Sequence, residues 1–364
     1  MLKIDVCGRC GTDRRLYDSV HPRVKIPTVL GHELVGSVVE VGSEVRNLRR
    51  GVGYLEGQTV PESAIPQVGA RVTVQGRVAR HRDGLMLMAE PIQNLSFYIP
   101  GAFAEYMRVP AEMVQAGAVL AIPAEVSDEE GALVEPAACA LESIFATPHP
   151  TGVDDDGRHI YRGSIRSGGR TLVIGSGTLA MIYSELAKRE GAAEVWIMVR
   201  SKRKEKLIRQ VLGDWPRVEV VEDYSEAEID NRIATEAVIE ERMKDLTAGQ
   251  LFDDVVLAAP SLDAQRLMFQ LLNPEGYGVA ASFAGLHERS ERANVDQIHY
   301  RIGKTTGTSG CSTRTMETII RWLSDGTLSL KGFTSPERFS LNDDPELFFK
   351  TTTDGRKPML YPWD

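Results

Sequence analysis

The feature that most constrains the fold is a glycine turn between an apolar strand and a helix. The segment Gly175-Ser176-Gly177-Thr178-Leu179-Ala180 follows the apolar run 171–174 and opens a stretch with helical spacing that continues to residue 189. Small residues there let a pyrophosphate approach the backbone, while the helix N-terminus offers amide donors and positive potential. The turn therefore predicts a bound dinucleotide, with contacts from Gly175, Gly177, Thr178 and Leu179.

Strands alternate with helices on the C-terminal side of this turn. The pattern predicts strands at 194–199, 218–222, 254–259 and 277–283, with a helix over 262–272. Such alternation is typical of a parallel sheet with right-handed crossovers. Residues 1–125 differ, because short apolar runs rich in Val, Gly and Pro indicate a mostly β domain. We therefore predict an α/β chain with a β-rich domain and a doubly wound Rossmann domain, and an exposed connection or surface insertion over 148–169.

Composition excludes several functional classes. The chain has 364 residues and a net charge of −9, which argues against nucleic acid or an anionic membrane as the main partner. No apolar run approaches the roughly 20 residues of a membrane span, and the first residues leave no room for a signal peptide. The 4 cysteines are too few for a disulfide framework. A cytoplasmic protein that acts on a small molecule is expected.

Metal-ligand residue types recur in the β-rich part. Cys10 is followed by the pair His32-Glu33, and Glu135 precedes a proline. A thiolate, an imidazole and a carboxylate suit Zn²⁺, and three protein ligands leave the open position that a catalytic zinc requires. Each residue alone is weak evidence, because a lone cysteine is more often a small buried side chain. The other cysteines, Cys7, Cys139 and Cys311, are predicted to be core residues.

The residues after the second Rossmann strand indicate which dinucleotide is bound. A protein that reads the NAD ribose normally has Asp or Glu at this place, about 20 residues after the glycine turn. Here the sequence is Arg200-Ser201-Lys202-Arg203-Lys204. Cations at a helix N-terminus oppose the helix dipole, so an anion is expected to offset them. The pattern favours the 2′-phosphate of NADP, bound by Arg200, Ser201 and Arg203; the alternative is a solvated helix face.

Together these motifs resemble the zinc-dependent medium-chain alcohol and polyol dehydrogenases. The resemblance covers most of the chain and rests on short segments: Gly8 to Asp13, Gly31-His32-Glu33, Gly42, Gly101 to Tyr106, Glu135-Pro136 and the Gly175 turn. The Glu-Pro pair is similar to the sorbitol and threonine dehydrogenase branch. Within that branch, the chain resembles the sugar-phosphate reductases, such as the L-sorbose-1-phosphate reductases.

The resemblance implies a fold and a reaction. The expected domains are a GroES-like catalytic domain at 1–145 and 292–364 and a Rossmann domain at 146–291. The expected reaction moves hydride between NADP(H) or NAD(H) and a secondary alcohol or ketone of a polyol, sugar or sugar phosphate. A zinc-free quinone reductase-like enzyme and a catalytically inactive NADPH-binding protein are the alternatives. A homodimer or homotetramer is expected from the family.

The resemblance also implies residue roles. Cys10, His32 and Glu135 would bind a single catalytic zinc, which lowers the pKa of a coordinated alcohol. Glu33 would be a nearby supporting group or an exchangeable fourth ligand, and Thr12 would pass the proton from the substrate hydroxyl. Segments containing Phe283, Ala284 and Thr308 would approach the cofactor.

Three departures from the family pattern affect these expectations. Arg15 stands where the proton relay often ends in a histidine, so Arg14 or Arg15 could instead meet a substrate phosphate. Residues 75–100 contain no cysteine, so a structural zinc lobe is not expected. Only nine residues precede Cys10, fewer than in family members, so opening strands are expected to be missing, exposing a sheet edge and apolar surface.

Overall fold

Two units make up the part of the chain that the computed structural model describes. The first consists of Met1–Ala138 and Gly310–Asp364, and the second of Cys139–Ser309. The described residues are 1–19, 24, 26–43, 45, 66–82, 85–221, 229–259, 261–276, 278–283, 299–300, 303–350 and 354–364.

Strands and helices are numbered here in chain order. The strands are β1 (Leu2–Gly8), β2 (Glu33–Val38), β3 (Arg71–Val74), β4 (Arg77–Arg82), β5 (Leu85–Asn94), β6 (Tyr106–Met107), β7 (Val119–Ala121), β8 (Pro148–Val153), β9 (His159–Gly163), β10 (Arg170–Ile174), β11 (Glu194–Val199), β12 (Arg217–Val220), β13 (Asp254–Leu257), β14 (Ala280–Phe283), β15 (Lys304–Gly307), β16 (Thr334–Phe339) and β17 (Lys357–Leu360). The helices are α1 (Gly11–Asp18), α2 (Ala111–Gln115), α3 (Asp128–Ala132), α4 (Val134–Phe145), α5 (Thr178–Arg189), α6 (Lys202–Leu212), α7 (Ile229–Leu246), α8 (Leu262–Gln270), α9 (Thr313–Ser324) and α10 (Pro345–Lys350). Within the described ranges, none of these helices has both the length and the apolarity needed to cross a bilayer.

The first unit is built on a mainly antiparallel sheet. Its strand order is β16-β17-β1-β2-β3-β7, with β6 also paired to β1. Strand β1 runs antiparallel to both β2 and β17 and buries Leu2, Ile4 and Cys7 in an apolar core that also contains Leu34. The end of β1 and the starts of β2 and β17 therefore lie side by side, which positions the residues described below.

The second unit is a parallel sheet with the strand order β12-β11-β10-β13-β14-β15. Every pair in it is parallel. Renumbered from the first strand, this is the order 3-2-1-4-5-6 of the doubly wound dinucleotide-binding fold. Leu172 and Trp196 lie in its apolar core with Phe252, buried between the sheet and its helices. The predicted α/β fold class is confirmed.

Local elements follow the sequence pattern closely in this unit. Helix α5 and strand β11 have the predicted bounds, because their apolar spacing and flanking glycines are unambiguous. The segment predicted as an exposed connection instead contains the hairpin β8–β9, in which Pro148 pairs with Gly163. Its residues 151–162 are exposed, so the hairpin lacks the alternating burial that reveals a strand in a sequence.

A buried ion pair fastens this hairpin to the sheet. His149 Nε2 lies 2.7 Å from Asp254 Oδ1, and His149 Nδ1 lies 2.8 Å from the carbonyl oxygen of Gly278. Both neighbours are acceptors, so the ring satisfies both only when each nitrogen carries a proton. Burial alone would lower the pKa of His149, but the hydrogen bonds and charge of Asp254 outweigh it and raise the pKa.

This pair predicts a pH-dependent part of the stability. The pKa of His149 is raised in the folded state. The ion pair therefore contributes fully to the free energy of unfolding below the ordinary histidine pKa of about 6.5, and this contribution is lost as pH rises through the raised pKa. Asp254→Asn should lower the free energy of unfolding by about 3 kcal/mol at pH 6 in urea titrations. The exposed Asp156→Asn is the control and should change it little. If Asp254→Asn lowered the free energy of unfolding equally at pH 6 and pH 9, His149 would not be charged in the folded protein.

Candidate functional site

Two consecutive segments of the first unit bring a thiol, an imidazole and a carboxylate together. Cys10 is the N-cap residue of α1, just after β1, whereas His32 and Glu33 stand at the start of β2. Because Gly8 of β1 pairs with Glu33 in the antiparallel register, these segments meet. A ligand atom from each of Cys10, His32 and Glu33 lies within 4.8 Å of the other two.

Asp13 is the buried anchor of this cluster. Its carboxylate accepts hydrogen bonds from the backbone N–H of Cys10 at 3.0 Å and of Gly31 at 3.1 Å. It also lies 3.3 Å from His32 Nδ1, and Ser96 Oγ lies 3.4 Å from the same nitrogen. A proton on Nδ1 directed at Asp13 leaves Nε2 as the ligand atom, which is the arrangement by which carboxylates orient metal-binding histidines.

Electrostatics couples Asp13 and His32. Burial alone would raise the pKa of Asp13, but the charge and hydrogen bond of His32 and two backbone N–H groups keep it below the ordinary value. Burial alone would lower the pKa of His32, but Asp13 raises it well above the usual value, with a further hydrogen bond to Cys10. A metal ion bound at Nε2 would compete with a proton for that nitrogen, so metal affinity depends on pH.

Gly31 allows the chain to turn into this cluster. Its φ is +98°, a backbone conformation that residues other than glycine rarely adopt. An added Cβ would also lie 2.9 Å from the backbone nitrogen of Phe103. Replacing Gly31 would therefore displace the N–H that binds Asp13 and the histidine that follows it.

Glu33 is held by a lysine from the C-terminal strand. Lys357 Nζ lies 2.7 Å from Oε1 and 2.6 Å from Oε2 of Glu33. The Glu33 side chain is 2% exposed and that of Lys357 is 12% exposed, so this ion pair is nearly desolvated. The positive charge of Lys357 compensates the carboxylate of Glu33, whose burial without a partner would cost much free energy.

Glu135 belongs to a second group of possible ligand atoms. It lies in the first turn of α4, after the short helix α3 that Ser127 caps by accepting from Glu130 N. Its carboxylate lies within 4.8 Å of the sulfur of Cys311 in the same unit, and Glu135 also acts electrostatically on Lys357. Cys311 and Cys7 are buried as predicted, whereas Cys139 is half-buried. The structure thus groups Cys10 and His32 with Glu33, and Glu135 with Cys311.

The donor chemistry of the first group suits zinc. One sulfur, one imidazole nitrogen and one carboxylate oxygen within 4.8 Å of one another form a set that Zn²⁺ accepts. Thr12, beside Cys10, is half-buried, and its Oγ1 accepts a hydrogen bond from Arg15 Nη2 at 3.2 Å. Arg14 and Arg15 are exposed.

The glycine turn of the second unit has the geometry predicted for a nucleotide site. Gly175 follows β10 with a φ of +149°, and an added Cβ would lie 2.8 Å from the carbonyl oxygen of Ala258. Gly177 is the N-cap residue of α5, which begins at Thr178 and Leu179. A cavity of about 180 Å³ lies at the turn and is lined by Gly175, Ser176, Val199, Arg200 and Asp263, among others.

Of the basic residues after β11, Arg200 contacts this cavity. Arg200 lines it and is exposed, and none of the described residues forms a hydrogen bond or ion pair with its guanidinium. Ser201 is the N-cap residue of α6, and its side chain makes no capping hydrogen bond. Arg203 is exposed in the first turn of that helix, whereas Lys202 pairs with Glu205.

The remaining predicted cofactor contacts are only partly described. Phe283 is the last residue of β14, and Thr308, half-buried, follows β15. Ala284 lies outside the described residues.

Comparison with known proteins shows what this chain is similar to. The model of the alcohol dehydrogenase GroES-like domain matches residues 1–121. L-threonine 3-dehydrogenase of Pyrococcus abyssi is 26% identical over 337 residues, which are 91% of this chain and 81% of that protein. The chain is thus similar to alcohol and polyol dehydrogenases. The resemblance stated from the sequence and the GroES-like fold of the first domain are confirmed.

Two further comparisons concern a curated relative and a solved structure. D-arabinitol dehydrogenase 1 of Uromyces fabae is 25% identical over 252 residues, 66% of this chain and 60% of that protein, so the chain spans less than two thirds of its length. A crystal structure from Sinorhizobium meliloti, described as a zinc-binding dehydrogenase bound to NADP, superposes with a TM-score of 0.73 at 22% identity. It covers 99% of this chain and 91% of the other.

Sequence reasoning missed Asp13 and Lys357. Asp13 carried a signal, since an acidic residue three positions after a helix N-cap is typical of a capping box. Its second interaction, with His32, depends on the tertiary fold. Lys357 carried none, because it lies 324 positions from Glu33.

The position of Asp13 predicts its effect on metal binding. Asp13→Asn should weaken Zn²⁺ affinity by about 10- to 100-fold, because the amide lacks the negative charge that faces His32 and has one acceptor oxygen where Asp13 has two. Competition with a chromophoric chelator measures the affinity. Asp18→Asn, on the exposed end of the same helix, is the matched control and should retain it. Unchanged zinc affinity in Asp13→Asn would show that His32 is oriented by other groups.

Proposed function

We propose that this chain is a zinc-dependent oxidoreductase that transfers hydride between NADP(H) and a secondary alcohol or ketone of a polyol, sugar or sugar phosphate. The observation that carries the proposal is the Cys10–His32–Glu33 cluster backed by buried Asp13. A relative named D-arabinitol dehydrogenase and another named L-threonine 3-dehydrogenase support an alcohol substrate. They also support the sorbitol and threonine dehydrogenase branch.

The proposed roles follow from the chemistry of each group. Cys10 and His32 would bind the zinc ion, and Glu33 or Glu135 would supply a carboxylate. Zinc, when bound, supplies Lewis acidity that lowers the pKa of an alcohol and polarises a ketone. Asp13 fixes the orientation of His32, and the hydroxyl of Thr12, held by Arg15, would move the proton of the substrate hydroxyl.

The second unit would supply the hydride carrier. The N-terminus of α5, opened by Gly175 and Gly177, would bind the pyrophosphate. Arg200, Ser201 and Arg203 would bind the 2′-phosphate, which favours NADP(H) over NAD(H). The solved relative bound to NADP supports this choice. We propose one catalytic zinc per chain and a homodimer or homotetramer, which light scattering after gel filtration tests.

Metal analysis and a substrate panel test the reaction. The purified protein should contain about one zinc per chain and change absorbance at the NADPH band with polyols or sugar phosphates. Glu135→Ala should abolish turnover and leave NADPH binding intact, because the dinucleotide turn is formed by other residues. A zinc-free protein whose activity ignores chelators would instead support the quinone reductase-like alternative. Intact NADPH binding without any turnover would support an inactive binding protein.

Arg200 predicts the cofactor preference. Arg200→Asp should lower kcat/KM for NADPH by about 10- to 100-fold, since a charged hydrogen bond to the 2′-phosphate is lost. The kcat/KM for NADH, which lacks that phosphate, should not change. The matched control is Lys206→Asp, which makes the same charge change at an exposed position of the helix that follows, α6. Equal losses with both cofactors would mean that Arg200 does not read the 2′-phosphate.

A further inference from the structure

Ser96 has a backbone conformation that serine rarely adopts. Its φ is +69°, in the left-handed region that glycine occupies without strain. Of the residues that the structure describes, Ala248 and Leu251 are the other non-glycine residues with positive φ, and both lie in the second unit. Such strain persists only where the surrounding structure holds it, and it is common at functional sites. A serine at this place therefore indicates that its side chain has a role there.

A tight turn after β5 holds Ser96 in this conformation. The backbone N–H of Ser96 donates to the carbonyl oxygen of Ile99 at 2.9 Å, and the N–H of Ile99 donates to the carbonyl oxygen of Asn94 at 3.1 Å. Leu95 and Ile99 are buried in the apolar core of the first unit. The backbone and its apolar neighbours therefore fix this turn, and the serine hydroxyl makes its contacts elsewhere.

The hydroxyl of Ser96 contacts both members of the Asp13–His32 pair. Ser96 is fully buried, and its Oγ lies 3.4 Å from Asp13 Oδ1 and 3.4 Å from His32 Nδ1. Those two atoms lie 3.3 Å apart, so the three form a nearly equilateral triangle. A hydroxyl has one proton to donate and lone pairs that accept. The hydroxyl can therefore donate to the carboxylate and accept from the N–H at Nδ1 at the same time.

Gly76 connects the same turn to the histidine. The backbone N–H of Leu95 donates to the carbonyl oxygen of Gly76 at 2.8 Å. An added Cβ on Gly76 would lie 3.3 Å from the Cβ of His32. The turn that carries Ser96 and the base of the His32 side chain therefore share one support.

We propose that Ser96 is a positioning residue that fixes the ring of His32 for metal binding. The inference rests on the proposed zinc-dependent function. Asp13 alone would give the N–H at Nδ1 one acceptor direction, about which the ring can turn. A second acceptor beside the same N–H removes this freedom, so Nε2 keeps a single direction. The left-handed backbone of Ser96 is what brings the hydroxyl to this position.

Two substitutions separate the hydroxyl from the backbone strain. Ser96→Ala removes the hydroxyl and keeps the strain, whereas Ser96→Gly removes both. Both should weaken Zn²⁺ affinity about tenfold in competition with a chromophoric chelator, the low end of the range for a group that orients a metal-binding histidine. Both should also shift the visible bands of the Co²⁺-loaded protein. In urea titrations of the metal-free protein, Ser96→Gly should be more stable than Ser96→Ala.

Two control variants match these changes. Ser37→Ala removes a serine hydroxyl from another carboxylate of the same unit, since Ser37 Oγ lies 2.8 Å from Asp5 Oδ2. Ala248→Gly relieves a φ of +53° at an exposed position of the second unit. Both variants should keep the zinc affinity and the cobalt spectrum of the unmodified protein.

The order of the zinc affinities distinguishes a positioning role from a purely structural one. If Ser96 only stabilised the turn, zinc affinity would follow stability, and Ser96→Gly would bind zinc as tightly as the unmodified protein. That result would overturn the proposal, and so would an unchanged affinity in Ser96→Ala. Absence of zinc binding by the unmodified protein would instead refute the proposed function, which separates the two failures.

Discussion

The candidate metal centre depends on one buried carboxylate. Asp13 is fully buried and accepts hydrogen bonds from Cys10 and Gly31 while it faces His32. It therefore ties the start of α1 to the start of β2, and the same bonds that satisfy its charge set the direction of the imidazole. The same carboxylate therefore supports the local fold and the orientation of a candidate ligand.

A second constraint is the compensation of charge around the cluster. A thiol and two acids lie near one another in a poorly solvated part of the first unit, and Lys357 is the cation that they face. Glu33 can be buried because that ammonium lies against both of its oxygens. Gly8 has no side chain, and this leaves room for the Glu33 side chain, since an added Cβ would lie 2.7 Å from Glu33 Oε2.

Much of the fold was predictable because its signals are local. The turn at Gly175 and helix α5 follow from spacing that a sequence displays openly, and so does the parallel alternation of the second unit. The hairpin β8–β9 was not predictable, because exposed strands lack alternating burial. In the candidate site, the residue types of Cys10 and His32 were informative, whereas the position of Glu135 beside Cys311 could not be deduced without coordinates.

The sequence by itself determined the class of chemistry. The residue types indicated the ligands, because they set ligand chemistry. A metal was indicated by a cysteine, a histidine and acids in a β-rich segment. A phosphorylated dinucleotide was indicated by the glycine turn and the basic cluster. Only the tertiary structure decided which acid stands beside Cys10 and His32 and which groups support it. Asp13 acts on a residue 19 positions away and Lys357 on one 324 positions away. Strand pairing sets such neighbours, since antiparallel register joins residues that the chain keeps far apart.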